Sequence, residues 1–186
     1  MFLYPIYIQM MEFKFTKVRD VKSPTRWTFR SSWLDFYIPN DIKPEDVKIT
    51  PLNEPVKIDP SRFVTEDEVI IPWWRGMLIP SWLKVYMTPG SHDYVYDLVL
   101  IWKSWVSVKT DLIVWASVID NDYRWEFNIH LINPWINNVH LKKWAKVIQG
   151  IIRQAEIPET YEVDNDMYEN FCNTTRWEGW FGSTWE

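Results

Sequence analysis

Residues 89–97 read Pro89-Gly90-Ser91-His92-Asp93-Tyr94-Val95-Tyr96-Asp97, and this stretch decides between helix and strand for the second half of the chain. Ser91 is a good N-cap, and Asp93 would lie in a first helical turn, where an acidic side chain favours the helix dipole. Apolar residues then recur at helical spacing. They are Val95, Leu98, Val99, Trp102 and Val106. We therefore predict a helix that begins at Ser91.

A second apolar stripe predicts another helix further along the chain. Asn137 or Asn138 is placed to cap its start, and Pro134 and Pro158 bracket it. The stripe consists of Leu141, Trp144, Ala145, Ile148, Ile151, Ile152 and Ala155. This spacing is typical of a helix with one buried face.

The first half of the chain has the pattern of short strands. Runs rich in β-branched and aromatic residues alternate with prolines, which disfavour helix interiors and central strands. The predicted strands are residues 27–30, 33–38, 47–49, 56–58 and 69–71. We expect a small, loop-rich antiparallel sheet here.

Residues 112–132 allow two interpretations. Apolar and polar residues alternate strictly from Tyr123 to Leu131, which is the pattern of a half-buried strand. With residues 113–119 before it and a turn at 120–122, this strand would form a hairpin. The rival interpretation is a helix capped by Asp120. The periodicity favours the hairpin, and the position of Asp122 depends on which is correct.

These patterns predict an α+β fold, in which a small antiparallel sheet from the N-terminal half packs with helices from the C-terminal half. Residues 1–155 would form a single domain, and residues 156–186 an acidic, aromatic-rich C-terminal arm. The arm carries eight acidic residues and one basic residue. Its rings could dock onto a partner, and we predict binding through Trp177, Trp180, Phe181 and Trp185.

Composition narrows the function classes. The chain has 14 tryptophans, only 5 glycines and a net charge of −5. The charge argues against nucleic-acid binding, which needs a basic face. So many indoles favour extensive burial with an aromatic surface left over for a protein partner. The alternative is a tryptophan-rich core whose rings are partly exposed. We find no signal peptide and no transmembrane segment, so we expect the protein in a virion or in the host cytoplasm.

The segment around the His92-Asp93 pair resembles a phage-encoded family, the domain of unknown function number 1353. The matching residues are Phe63, Thr65, Asp67, Pro72, His92, Asp93, Tyr94 and Tyr96. One extra residue separates Thr65 from Asp67, and the family's serine before Ile-Pro is missing. The resemblance implies a bacteriophage protein but no particular reaction.

His92-Asp93 also resembles the catalytic helix of phospholipases A2. That resemblance implies His92 as a general base, Asp93 as a calcium ligand and Asp122 as the acid that orients His92. A neutral imidazole accepts a proton near neutral pH, and a hard cation prefers carboxylate oxygens. The alternative is structural: Asp93 caps a helix and His92 donates to a nearby carbonyl or carboxylate.

The phage resemblance, the many tryptophans and the lack of a complete site around His92-Asp93 lead us to predict a bacteriophage structural or interaction protein. The protein would be associated with the virion, in the tail or neck. We expect a non-enzyme rather than an enzyme. Its partners would be other phage proteins or further copies of itself, with no cofactor, no nucleic acid and no membrane span. The alternative function is a calcium-dependent hydrolase of lipid or cell envelope that uses His92, Asp93 and Asp122.

Overall fold

The structure is a computed structural model that describes residues 11–51 and 58–171. Within these residues the chain forms twelve strands and two short α-helices. The strands are β1 (Phe13–Lys17), β2 (Leu34–Tyr37), β3 (Lys48–Thr50), β4 (Glu68–Ile71), β5 (Arg75–Pro80), β6 (Leu83–Met87), β7 (Tyr94–Trp102), β8 (Ile113–Val114), β9 (Val118–Ile119), β10 (Asn128–Asn133), β11 (Val139–Lys142) and β12 (Lys146–Glu156). The helices are α1 (Ser104–Thr110) and α2 (Asn165–Phe171).

The strands form four antiparallel sheets. Two have four strands each, in the orders β2-β12-β7-β9 and β3-β5-β10-β8. The other two are the pairs β1-β6 and β11-β4. Most neighbours in these sheets are distant in sequence, so the fold depends on long-range pairing rather than on local hairpins.

The α+β prediction is wrong, because both predicted helices are strands. Residues 94–102 form β7, and residues 139–142 and 146–156 form β11 and β12. The two long strands pair with each other from Tyr94↔Glu156 to Trp102↔Ile148. The runs at 98–101 and 147–152 are rich in valine and isoleucine, whose branched side chains pack well in a sheet. Periodicity alone does not separate such a run from a buried helix.

The ambiguous segment 112–132 contains strands and turns and no helix within the described residues. β8 pairs with β10, as a hairpin would require, but β9 pairs with β7. The chain therefore passes from one large sheet to the other on either side of the turn at 120–123.

One hydrophobic core joins the sheets. Phe36 of β2 and Phe127, before β10, meet edge to face with 5.6 Å between ring centroids, and both are 1% exposed. By the contacts within it, the chain divides into two compact units, with the boundary between Glu156 and Ile157. The second unit contains α2. The predicted binding residues Trp177, Trp180, Phe181 and Trp185 lie outside the described residues.

The half-buried His130 on β10 gives a first prediction. Its Nε2 lies 3.1 Å from Thr50 Oγ1, and burial lowers the pKa of the imidazole. The unfolded chain therefore takes up this proton before the folded chain does, so the free energy of unfolding falls as the pH drops below about 6.5. We expect urea unfolding at pH 7 and pH 5 to show a smaller loss for His130→Asn than for the wild type. An equal loss in both proteins would contradict this role.

Candidate functional site

A buried carboxylate lies in the middle of an apolar strand. All four residues of β2 are buried, and Asp35 is 2% exposed. A charge in such a position is stable only when partners compensate for its lost hydration. Side chains from other parts of the sheet must therefore compensate the charge of Asp35.

Three cationic or polar side chains surround Asp35, and we call these four residues the Asp35 cluster. Lys103 Nζ lies 2.7 Å from Asp35 Oδ1, and Lys146 Nζ lies 2.9 Å from Oδ2. Gln149 Nε2 also donates to Oδ1, at 3.3 Å. Oδ2 lacks a well-aligned hydrogen bond despite the nearby ammonium group of Lys146. The cluster thus holds two ammonium groups around one carboxylate.

The charge state of the Asp35 cluster follows from these contacts. Burial alone would raise the pKa of Asp35, but the ammonium groups of Lys103 and Lys146 beside the carboxylate outweigh burial and bring the pKa below its usual value. The Asp35 carboxylate beside it raises the pKa of Lys146. The formal charges of one aspartate and two lysines leave the cluster with one excess positive charge. Such a cluster suits an anionic group such as a phosphate.

Strand register brings the Asp35 cluster together. Asp35 lies opposite Gln149 of β12, and Gln149 lies opposite Ile101 of β7. Lys146 begins β12, and Lys103 directly follows β7. Residues 35, 149 and 101 therefore form one row across the sheet, on one of its faces.

A second polar region is the turn formed by residues 120–123. The Tyr123 N–H donates to the Asp120 carbonyl at 3.1 Å, which closes the turn. The Asn121 side chain donates to the carbonyls of Thr88 and Tyr96, at 3.2 and 3.0 Å. These bonds fix the backbone of the turn, while the Asp120 side chain stays exposed to solvent.

Strand β7 runs between the Asp35 cluster and the turn at 120–123. Ile119 of β9 pairs with Leu98, so continuing that register puts Asp120 beside Asp97. Asp97 and Ile101 share a face of β7, because side chains alternate along a strand. Asp120 and the Asp35 cluster therefore belong to the same face of the sheet. Their rows are four residues apart, or about 13 Å along β7 at the usual rise per residue.

The structure does not assemble the predicted catalytic site. His92 and Asp93 lie in an exposed bend before β7 rather than at a helix start. The Asp93 N–H donates to Ser91 Oγ at 3.1 Å. Asp122 is exposed in the turn at 120–123, and within the described residues no hydrogen bond or ion pair joins it to His92. The catalytic roles of these three residues stay predictions without a contact that supports them.

The residues of the family resemblance are dispersed over the molecule. Thr65 Oγ1 accepts from the Glu68 N–H at 3.1 Å and shapes the turn before β4. Tyr94 and Tyr96 meet edge to face on β7, with centroids 5.6 Å apart. Phe63 is half-buried, Asp67 is exposed and Pro72 is buried. The resemblance itself stays a prediction.

Sequence reasoning missed the Asp35 cluster, although a signal was present. Asp35 stands between Leu34 and Phe36 in a strand that the sequence does predict. A carboxylate inside an apolar strand requires a cationic partner, because an unpaired charge there is costly. Lys146 and Gln149 interrupt an apolar run in the same way, but the helical interpretation placed them at a solvent-facing surface.

Among residues 11–51 and 58–171, no group of three or more His, Cys, Asp or Glu side chains could hold a metal ion. Asp35 does not fit a metal ligand either, because two ammonium groups already occupy its oxygens. The predicted metal ligand Asp93 belongs to no such group. In the same part of the chain, no helix is both long and apolar enough to cross a membrane.

Solved structures with the same fold include phage enzymes. The dUTPase of Staphylococcus bacteriophage 80alpha with dUpNHpp has a TM-score of 0.63 and 16% identity, covering 93% of this chain and 98% of that chain. The dUTPase of phage phi11 of S. aureus has a TM-score of 0.58 and 14% identity, covering 83% and 97%. At this identity the likeness shows the fold, a jelly-roll β architecture.

Sequence relatives define the family, although no family model matches the chain. The deoxyuridine 5'-triphosphate nucleotidohydrolase of Candida albicans is 33% identical over 114 residues, which are 61% of this chain and 67% of that protein. The enzyme of Oryza sativa subsp. japonica is 31% identical over 117 residues, or 63% of each chain. The putative enzyme of Frog virus 3 is 28% identical, and the match spans 65% of its length. The chain belongs to the deoxyuridine 5'-triphosphate nucleotidohydrolase family.

These findings correct the predicted function. The relatives and structural neighbours are nucleotide hydrolases. They contradict the prediction of a virion structural protein. They also contradict the alternative of a lipid or envelope hydrolase. The prediction of a non-enzyme is wrong for the same reason. The prediction of no cofactor is also wrong, since a mutant dUTPase of phage phi11 with this fold coordinates a structural Mg(II) ion.

Proposed function

We propose that this protein hydrolyses deoxyuridine 5'-triphosphate. The observation that carries the proposal is the 33% identity to the Candida albicans enzyme across two thirds of that enzyme's length. The Asp35 cluster supports it independently, because it presents excess positive charge where sheet register fixes its position. Nucleotide binding is compatible with the net charge of −5, since the cluster is local.

The Asp35 cluster would bind the phosphate chain. Lys103 and Lys146 supply ammonium donors, and Gln149 supplies an amide N–H, all directed by one carboxylate. Asp35 would not touch the substrate; it positions the two lysines. A buried ion pair of this kind holds flexible side chains in one geometry, which favours selective binding over loose attraction.

Asp120 is the best-placed general base for the attacking water. Its carboxylate is exposed, and it directly follows a strand whose register is fixed by β7. Asp122 is also exposed, but it lies at the tip of the turn, two residues beyond Asp120. Groups supported by regular strands are held more accurately than groups on loop tips. A positioned carboxylate of this kind typically contributes 10²–10⁴-fold to the rate.

Lys103 provides the test of the phosphate contact. Lys103→Met is expected to lower kcat/KM for dUTP by about 10- to 100-fold, the usual effect of losing a hydrogen bond to a charged group. Lys48→Met is the matched control, because Lys48 is exposed on β3 in the other four-stranded sheet. Steady-state kinetics with both variants check this, after thermal unfolding has verified their folding. Equal losses in both variants would remove Lys103 from the site.

The distance between Asp120 and the Asp35 cluster suggests that two copies of the chain together form one active site. Asp120 and the Asp35 cluster are about 13 Å apart along β7 in one chain. The half-buried apolar side chains of Val99 and Ile151 lie between them on the same face, next to Ile101 in the row of the cluster. We propose that a second copy covers this strip, so that the Asp120 of one copy faces the Asp35 cluster of the other. A shared site of this kind is common in symmetric oligomers.

Subunit mixing tests this arrangement. When Asp120→Asn and Lys103→Met chains are co-expressed, about a quarter of the shared sites should contain both wild-type residues. The mixture should therefore hydrolyse dUTP faster than either variant alone. Activity equal to the average of the two separate variants would show that each site is built within one copy.

A further inference from the structure

Three tryptophans have backbone angles that disfavour any large side chain. Trp74, Trp82 and Trp144 have φ values of 53°, 56° and 64°, in the left-handed region. The fourth non-glycine residue with positive φ among those described is Asp111, at 50°. It follows α1, and aspartate is one of the few residues that tolerate this conformation. For a residue as bulky as tryptophan the same angles are true outliers.

The turns around Trp74 and Trp144 call for glycine. The Ala145 N–H donates to the Lys142 carbonyl at 3.0 Å, so residues 142–145 form a hydrogen-bonded β-turn with Trp144 in the third position. A positive φ in that position defines turn types in which glycine or asparagine is the usual residue. Trp74 is likewise the second residue of the two-residue turn between Pro72 and Arg75.

The tryptophans are also more exposed to solvent than tryptophans usually are. Of the eleven within the described residues, eight are exposed and only Trp82 is buried, whereas indoles are usually highly buried. Trp74 is 59% exposed. The whole chain has 5 glycines, where a typical composition of about 7% would give roughly 13. The excess of tryptophan thus accompanies a deficit of glycine, and Trp74 and Trp144 lie in turns.

We propose that the protein made in its natural source carries glycine at positions 74, 82 and 144, because the codons there are decoded as glycine instead of tryptophan. Glycine has no Cβ and adopts positive φ without steric cost. The proposal explains the three positive φ angles and the exposed ring of Trp74, and it lessens the deficit of glycine. It stands independently of dUTP hydrolysis.

Peptide mass spectrometry of the protein from its natural source tests the proposal directly. Peptides that cover residues 74, 82 and 144 are expected to be lighter by the mass difference between tryptophan and glycine at each position. Tryptophan at any of the three positions would overturn the proposal.

A stability comparison on recombinant protein tests the backbone angles on which the proposal rests. Alanine usually stabilises a chain relative to glycine, but at positive φ the order reverses. We expect Trp74→Gly and Trp144→Gly to melt about 3 °C above Trp74→Ala and Trp144→Ala, respectively. Trp115 is the matched control, because it is 66% exposed without a positive φ. There the alanine variant should melt at or above the glycine variant. Alanine variants as stable as the glycine variants at 74 and 144 would contradict the proposal.

Discussion

Replacing Asp120 by asparagine is expected to lower kcat for dUTP hydrolysis by about 10²–10⁴-fold. Asparagine keeps the shape of the side chain and its place beside β7, but it no longer accepts a proton from water. The effect should fall on kcat more than on KM, because the carboxylate is proposed to act on the attacking water rather than on the bound phosphates. Steady-state kinetics of purified wild type and variant measure both.

Asp122→Asn is the control for Asp120→Asn. Both carboxylates are exposed in the same turn, so the two substitutions change the local charge equally. We expect Asp122→Asn to retain kcat within a few-fold, since surface substitutions away from a site have small effects. A large loss in Asp122→Asn with little loss in Asp120→Asn would exchange the two roles and would favour the residue nominated from sequence alone.

Replacing Asp35 by alanine is expected to lower the free energy of unfolding by about 3 kcal/mol. The substitution leaves the ammonium of Lys103, whose side chain is 15% exposed, without its counter-charge in an apolar setting. Lys146 is 31% exposed and can turn partly toward water, so the loss stays at the lower end of the usual range. Urea unfolding at neutral pH measures this difference.

Asp41→Ala is the matched comparison for Asp35→Ala. Asp41 pairs with Arg19 at 3.4 Å, but 48% of the Asp41 side chain is exposed. Exposed pairs of this kind contribute about 0–1 kcal/mol because water and salt screen them. If Asp35→Ala were no more destabilising than Asp41→Ala, the Asp35 cluster would not be the tightly coupled unit described above.

The sequence predicts part of the fold correctly. Strands β2 and β4 fall within or beside predicted strands, since their β-branched and aromatic runs are bounded by proline. The C-terminal half could not be predicted from periodicity. Ile148, Ile151 and Ile152 fit a helical stripe as well as a strand, and only pairing with β7, about fifty residues earlier, distinguishes the two. Long-range pairing of this kind leaves little local signal.

The candidate site was hidden for a related reason. Asp35, Lys103 and Gln149 are far apart in sequence and converge only through the order β2-β12-β7. The His92-Asp93 pair looked more like chemistry because its residues are adjacent, yet the structure leaves both exposed in a bend. The many tryptophans similarly suggested a docking surface. At positions 74 and 144, backbone angles give them a different explanation.

Hydrolysis of dUTP by the purified chain tests the central claim most directly. The protein is incubated with magnesium and, separately, with dUTP, dCTP, dTTP or UTP, and nucleotide consumption is followed, with Asp120→Asn as the blank. We predict that dUTP is consumed with a kcat/KM at least about tenfold above that for the other three nucleotides, and that the variant loses this activity. Folded wild-type protein that consumes dUTP no faster than the Asp120→Asn variant would contradict the proposed function.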